Sequence, residues 1–278
     1  MLRREAVAIL LSACARAAKL DRFFDAAGGA AVVLDVPGRK LIAAHGAAGT
    51  RLAPPGSTIK PFVLSALLQA GKLRAEETFR CPGKLEIAGR AFHCSHPPIA
   101  GPMRIPSALA YSCNCFAAHV AERFDRGELA RYLQRDGLAS RTGMLGNDEA
   151  AGRLQPADGR EANQLQALGE DRVLVTVAGL AAAYRLLAVN APAPVIEGLE
   201  GAVEFGTAQL AGVSGMRVAG KTGSVKTSSG ARLAWFSGFG PSRSPQIAVT
   251  VMLQGYSGGA DAAPVAARIF DAWRAGLL

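Results

Sequence analysis

The chain has 278 residues, half of them apolar and 19% charged, which excludes a disordered or collagen-like polymer and allows one large domain or two small ones. Lys and Arg exceed Asp and Glu by 31 to 22, a net charge of +9 that suits nucleic acid, an anionic membrane surface or a carboxylate-rich polymer. The positive charges are scattered, without a basic run or adjoining aromatics, so nucleic acid is the least favoured partner. No apolar run reaches the roughly 20 residues needed to span a bilayer.

Residues 1–16 read as an export signal: Arg3 and Arg4 precede a short apolar stretch over 6–11. Leu11-Ser12-Ala13-Cys14 is similar to a lipobox, in which the cysteine is lipidated and becomes the first mature residue. That reading places the protein in the cell envelope or periplasm, lipid-anchored at Cys14, with residues 17–278 as its working domain. An ordinary N-terminal helix in an unprocessed chain is the competing reading.

Two apolar runs, 31–36 and 40–44, flank Pro37-Gly38-Arg39 and predict a hairpin. From Ser57, the residues Ile59, Phe62, Val63, Ala66, Leu67 and Ala70 follow helical spacing, and Gly71 ends the run. Cys81 and Cys94 bracket a second hairpin over 85–92, whose ends meet, so a disulfide between them is geometrically reasonable. His93 and His96 flank Cys94 and offer a metal site instead, though the ligand spacing fits no standard zinc pattern. Two reduced, buried thiols are the third reading.

Helical spacing resumes over 105–110, 115–124 and 174–187. Strands return over 216–220, 231–240 and 246–254, and a helix over 262–275 closes the chain. The strands come in hairpins, not in βαβ units, so the expected class is α+β. One antiparallel sheet forms from both chain ends, is flanked by helices, and carries an inserted all-helical subdomain over about 72–200.

The most informative stretch is Pro54-Pro55-Gly56-Ser57-Thr58-Ile59-Lys60-Pro61. Two prolines and a glycine break the chain just before a helix, so Ser57 lands in its first turn, where Pro61 is tolerated. Ser57 and Lys60 are three apart and share a face. A serine hydroxyl becomes a nucleophile when a base takes its proton, and a lysine serves if burial and a nearby cation lower its pKa. Tyr111-Ser112-Cys113-Asn114 offers a second hydroxyl and an amide at a helix junction. Val218-Ala219-Gly220-Lys221-Thr222-Gly223-Ser224 lies on a predicted strand with glycines where a substrate backbone can approach. Each has a plain structural reading: a capped helix, a polar helix junction, and an edge strand with a solvated lysine.

Taken together and in this order, the three motifs resemble those of the penicillin-binding transpeptidases and their serine β-lactamase relatives. Further stretches are similar too: Gly143-Met144 through Arg153-Leu154, Glu204-Phe205-Gly206-Thr207-Ala208, and Ala234-Trp235-Phe236-Ser237-Gly238-Phe239-Gly240-Pro241. The resemblance implies Ser57 as the acylated nucleophile, Lys60 as its general base, and Ser112 as the proton shuttle to the leaving group. Lys221 would hold that network and keep Lys60 deprotonated. Asn114 would bind the substrate amide and Thr222 the terminal carboxylate of a D-Ala-D-Ala stem peptide. The N–H groups of Ser57 and Ser224 would form the oxyanion hole, with Gly223 beside them on the substrate-binding strand. The implied partners are peptidoglycan stem peptides, β-lactams as covalent inhibitors and other cell-wall synthesis proteins. No cofactor and no metal ligand is implied.

Three departures from the family pattern stand out. Ser224 replaces the common threonine, and Gly169-Glu170-Asp171 stands where Gly-Gln-Gly is frequent, which predicts a differently shaped loop. The length leaves no room for a long N-terminal pedestal or a glycosyltransferase domain, so the expectation is little more than a catalytic unit. The expected activity is D,D-transpeptidase or D,D-carboxypeptidase. A class D-like β-lactamase and a non-catalytic penicillin sensor are the alternatives. Asn114 favours the first, since class D enzymes generally carry an apolar residue there. His45 and His119 read as structural, and Trp235 as core.

Overall fold

The computed structural model describes residues 20–24, 28–97 and 101–278. The lipobox-like segment and Cys14 lie outside the described residues. Strands β1 (Gly29–Asp35) and β2 (Lys40–His45) open the sheet, and β7 (Ala219–Lys226), β8 (Arg232–Gly240) and β9 (Ile247–Gln254) complete it. Its order is β2-β1-β9-β8-β7, and every neighbouring pair is antiparallel. The first and last parts of the chain thus meet at β1 and β9, as the sequence predicts.

Both faces of the sheet are covered, which explains why its strands read as apolar runs and not as alternating ones. Val32, Leu34, Trp235 and Phe239 point into one core. Ala31, Val33, Ala234 and Phe236 point into the other. Helix α6 (Val177–Asn190) packs on β1, β8 and β9 from the first side, and α8 (Ala263–Arg274) packs on β8 and β9 from the second. Thr176 caps α6 by accepting from Gly179 N at 2.9 Å. Pro192 ends it by forcing Ala191 into extended backbone.

Between β2 and β7 lies the insert. It is helical, with α1 (Lys60–Gln69), α2 (Ile105–Ala110), α3 (Asn114–Ala121), α4 (Glu128–Arg135), α5 (Arg160–Ala167) and α7 (Ala193–Glu204) beside α6. It also holds two small sheets, so it is not all-helical: β3 (Lys84–Ile87) with β4 (Arg90–His93), and β5 (Arg153–Leu154) with β6 (Val173–Leu174). The first is the hairpin between Cys81 and Cys94. It turns through Ala88 and Gly89, both at positive φ. Among the described residues no single helix is long and apolar enough to cross a membrane.

His119 stacks on Phe79 at 4.8 Å, and Trp235 is fully buried, both as structural residues. His45 is structural but does have partners. Its Nδ1 lies 2.6 Å from Asp21 Oδ1 and its ring stacks on Phe24, contacts that only the tertiary fold creates.

Candidate active site

The turn that presents Ser57 follows from the chemistry of its neighbours. In a regular α-helix the carbonyl of Ser57 would accept from residue 61, but Pro61 has no N–H. Lys60 N–H takes that carbonyl instead, so Gly56–Ile59 form a 3₁₀ turn before α1 begins. Thr58 Oγ1 donates to Pro55 O at 2.8 Å, and the buried Tyr184 hydroxyl donates to Thr58 O at 2.8 Å. Gly56 N donates to Gly169 O at 3.1 Å. Gly169 sits at φ +70°, and a Cβ there would fall 2.2 Å from Gly56 O. Gly56, Thr58, Ile59 and Lys60 are buried by this arrangement, while Ser57 stays partly open.

Lys60 is fully buried, and its Nζ donates to Ser112 O at 2.8 Å and to Asn114 Oδ1 at 2.6 Å. Ser112 Oγ lies 3.4 Å away. Burial is the main reason its pKa falls to about 8, with the nearby Cys113, Cys94 and Cys115 side chains and Glu170 opposing the fall. Among the described residues, the Lys60 ammonium makes no hydrogen bond to Ser57 Oγ.

Ser112 occupies the left-handed region, at φ +55°. It is the residue after the C-cap of α2, with Ser112 N donating to Leu109 O and Cys113 N to Ala108 O. That pair of bonds is a Schellman motif, where glycine is the usual residue. A serine there carries backbone strain and delivers a hydroxyl to the site. Asn114 begins α3, and its Nδ2 donates to His93 O at 2.9 Å.

Strand β7 supplies the third wall. Lys221 is fully buried and donates to Thr222 O at 3.0 Å. Its pKa is well below the ordinary lysine value, first through burial and then through the charge of Lys60. Burial also accounts for the lowering of Lys60, so the two ammonium groups share one dehydrated site. Thr222 Oγ1 donates to Thr207 Oγ1 at 2.8 Å. Ser224 Oγ accepts from Gly258 N at 3.0 Å. Gly223 lets β7 slide past the nucleophile turn, since a Cβ would lie 2.7 Å from Pro55 O.

Ser57, Ser112, Asn114, Thr222 and Ser224 line one cavity of about 190 Å³, and Lys60, Lys221 and Gly223 are buried in its walls. Four further residues line it that motif reading did not assign: Ser95, Thr207, Ser257 and Gly259. Thr207 lies in a stretch already similar to the family, whereas the other three carry no local signal. Gly169, the seat of the nucleophile turn, belongs in sequence to the loop that departs from the family pattern, and only the fold places it against Gly56. Its neighbour Glu170 forms an ion pair with Arg90 of the β3–β4 hairpin at 2.6 Å, a charge pairing that the glutamine of Gly-Gln-Gly would lack.

Beside this cavity four sulfurs converge. Cys81 and Cys94 approach as the hairpin predicts, but their sulfurs are 3.6 Å apart and unbonded. The proposed pair is part of a larger cluster: Cys113 lies 3.4 Å from Cys81 and 3.8 Å from Cys94, and Cys115 lies 3.5 Å from Cys94. Cys113 stands between Ser112 and Asn114, so cluster and cavity share one backbone turn.

A family model described as "Penicillin binding protein transpeptidase domain" matches residues 29–196 and 190–271. The chain belongs to the penicillin-binding protein transpeptidase family. Stage V sporulation protein D of Bacillus subtilis is 25% identical over 264 aligned residues, covering 77% of this chain and 41% of that protein. The chain therefore spans about two fifths of the length of that curated relative. Pseudomonas aeruginosa PBP2, solved in complex with WCK 5153, superposes with a TM-score of 0.80 at 22% identity, over 92% of this chain and 76% of that one. The apo TP domain of Burkholderia pseudomallei penicillin-binding protein 3 superposes at 0.79 and 24% identity, over 93% of this chain and 91% of that one. At these identities the two structures show the shared fold.

Proposed function

We propose that this chain is an acyl-serine D,D-transpeptidase or D,D-carboxypeptidase that acts on D-Ala-D-Ala stem peptides of peptidoglycan and is acylated by β-lactams. One observation carries the reading. A half-open serine sits one turn from a fully buried lysine whose pKa is about 8, on the wall of a cavity closed by the Lys221-Thr222-Gly223 strand. At pH 7 roughly a tenth of such a lysine is neutral and able to accept a proton.

Neutral Lys60 takes the proton of Ser57 Oγ as that oxygen attacks the carbonyl between the two D-Ala residues. The oxyanion meets the N–H groups of Ser57 and Ser224. Collapse breaks the C–N bond, and the departing D-Ala amine receives the proton from Lys60 through Ser112. An ester on Ser57 remains, and an amine or water then attacks it and restores the free serine. In a β-lactam the same attack opens the ring, and the leaving nitrogen stays tethered. β7 is the edge strand of the sheet, so an extended peptide can lie along it, its carboxylate beside Thr222 and Thr207. Asn114, already oriented by Lys60 and by His93 O, holds the donor amide.

The proposed place of action is the cell envelope, where the net charge of +9 favours residence near anionic wall polymer. A diacylated L-Lys-D-Ala-D-Ala peptide, incubated with and without glycine as acceptor, tests the reading. D-Ala release that depends on Ser57 is expected, and transfer to glycine distinguishes transpeptidase from carboxypeptidase. Hydrolysis of penicillin without action on the peptide would identify a β-lactamase and overturn the proposal.

A further inference from the structure

The sulfurs of Cys81, Cys94 and Cys113 form a triangle with edges of 3.4, 3.6 and 3.8 Å. Three thiolates on a tetrahedral zinc ion, each at about 2.3 Å, would stand about 3.8 Å from one another. A ring nitrogen of His96 lies within 4.8 Å of all three sulfurs. His96 Nδ1 lies 2.9 Å from Pro97 O, a carbonyl that can only accept, so Nδ1 carries the proton. That leaves Nε2 with its lone pair free, and Nε2 is buried without a hydrogen-bond partner among the described residues. A carbonyl that fixes the tautomer of a histidine is the usual outer partner of a metal ligand. Gly83 N donates to Cys81 Sγ at 3.3 Å and Phe116 N to Cys113 Sγ at 3.4 Å, bonds that support thiolate charge.

A disulfide between two of these cysteines would leave the third sulfur and the buried Nε2 without a role. An iron–sulfur cluster needs ligands spread around several metal atoms, which this spacing does not provide. The geometry points to a zinc site formed by Cys81, Cys94, His96 and Cys113, which ties the β3–β4 hairpin to the turn carrying Ser112 and Asn114. Three thiolates and an imidazole are a closed structural donor set. The ion holds Cys113 in place, and with it the strained Ser112 and the Asn114 amide that Lys60 contacts. These four ligands are positioning residues. Cys115, 3.5 Å from Cys94, stands outside the set.

The metal site stands on its own geometry, and only its effect on acylation rests on the proposed function. The test begins with metal analysis of the full chain purified with ZnCl2 and passed through gel filtration. About one zinc per chain is expected, retained in Cys115→Ser and lost in Cys81→Ser and His96→Ala. Co2+ in its place should give the intense sulfur-to-metal absorption of tetrahedral thiolate coordination, reduced in the same two variants. Stripping zinc with a chelator should slow acylation by a fluorescent penicillin about tenfold or more, and added ZnCl2 should restore it. A metal-free wild type in which Cys81, Cys94 and Cys113 are all reactive thiols, or a Cys81–Cys94 disulfide in the non-reduced mass, overturns the site. Zinc retained in His96→Ala but lost in Cys115→Ser overturns His96 as the fourth ligand. Bound zinc whose removal leaves acylation unchanged overturns the positioning role. If neither form is acylated at all, the proposed function fails while the metal stoichiometry still judges the site.

Discussion

Lys60 Nζ and Asn114 Oδ1 lie 2.6 Å apart, which joins the buried lysine of the nucleophile helix to the start of α3 at the cavity wall. Neither residue is near the other in sequence. Their contact orients the amide and gives the buried ammonium a partner when it is charged. Burial still dominates, and Lys60 remains easier to deprotonate than an ordinary lysine.

The first consequence is a pH profile. The active form of Lys60 is neutral, so the acylation rate should climb with pH and level off above about 8. Below that value the rate should fall close to tenfold per pH unit. Lys60→Ala should lower acylation by about 10²-fold or more and abolish that limb. Stopped-flow acylation by a chromogenic cephalosporin between pH 6 and 9.5 measures both.

Ser112 gives a test of strain against function. Replacing it by glycine removes the side chain from a left-handed backbone position, at φ +55°. Ser112→Gly should stabilise the fold by about 1 kcal/mol and yet slow acylation strongly. Urea unfolding and acylation kinetics on the same preparation check the two signs.

Two glycines with similar φ should respond differently to alanine. At Gly143, φ +72°, an added Cβ meets nothing within 4 Å, and the cost is backbone strain alone, about 1 kcal/mol. At Gly169, φ +70°, the Cβ would lie 2.2 Å from the Gly56 carbonyl. Gly169→Ala should therefore cost more than Gly143→Ala, on the order of 3 kcal/mol, and displace Ser57. Thermal denaturation with acylation rates separates the pair.

The sheet was readable in the sequence because its strands bury both faces and so appear as apolar runs. The apolar pattern of β7 stops at Gly220, where its polar Lys221-Thr222-Gly223-Ser224 part begins, and the strand there is legible through its motif and not through its hydropathy. Helix α5 escaped notice because it buries polar residues. Asn163 donates to Phe124 O, and Gln166 to Gln155 O and Arg172 O, so no hydrophobic period marks it. Helix α7 has the glycine and proline content of a loop. Its Gly198 is there for close packing, since a Cβ would lie 2.7 Å from Leu109 Cβ on α2.

The catalytic motifs were legible because each keeps its residues close in sequence. What supports them is assembled by the fold: Gly169 beneath Gly56, Thr207 against Thr222, and three cysteines with His96 drawn from separate segments of the chain. No spacing rule joins Cys81 to Cys113, because the hairpin and α2 fold back between them.

Intact mass spectrometry after incubation with benzylpenicillin, run for hours beside Ser57→Ala, probes the acyl-serine chemistry most directly. The wild type should gain the full mass of one penicillin and keep it, and Ser57→Ala should gain nothing. A Ser57→Ala protein that still carries the adduct, or a wild type that neither binds nor consumes the penicillin, would contradict the mechanism.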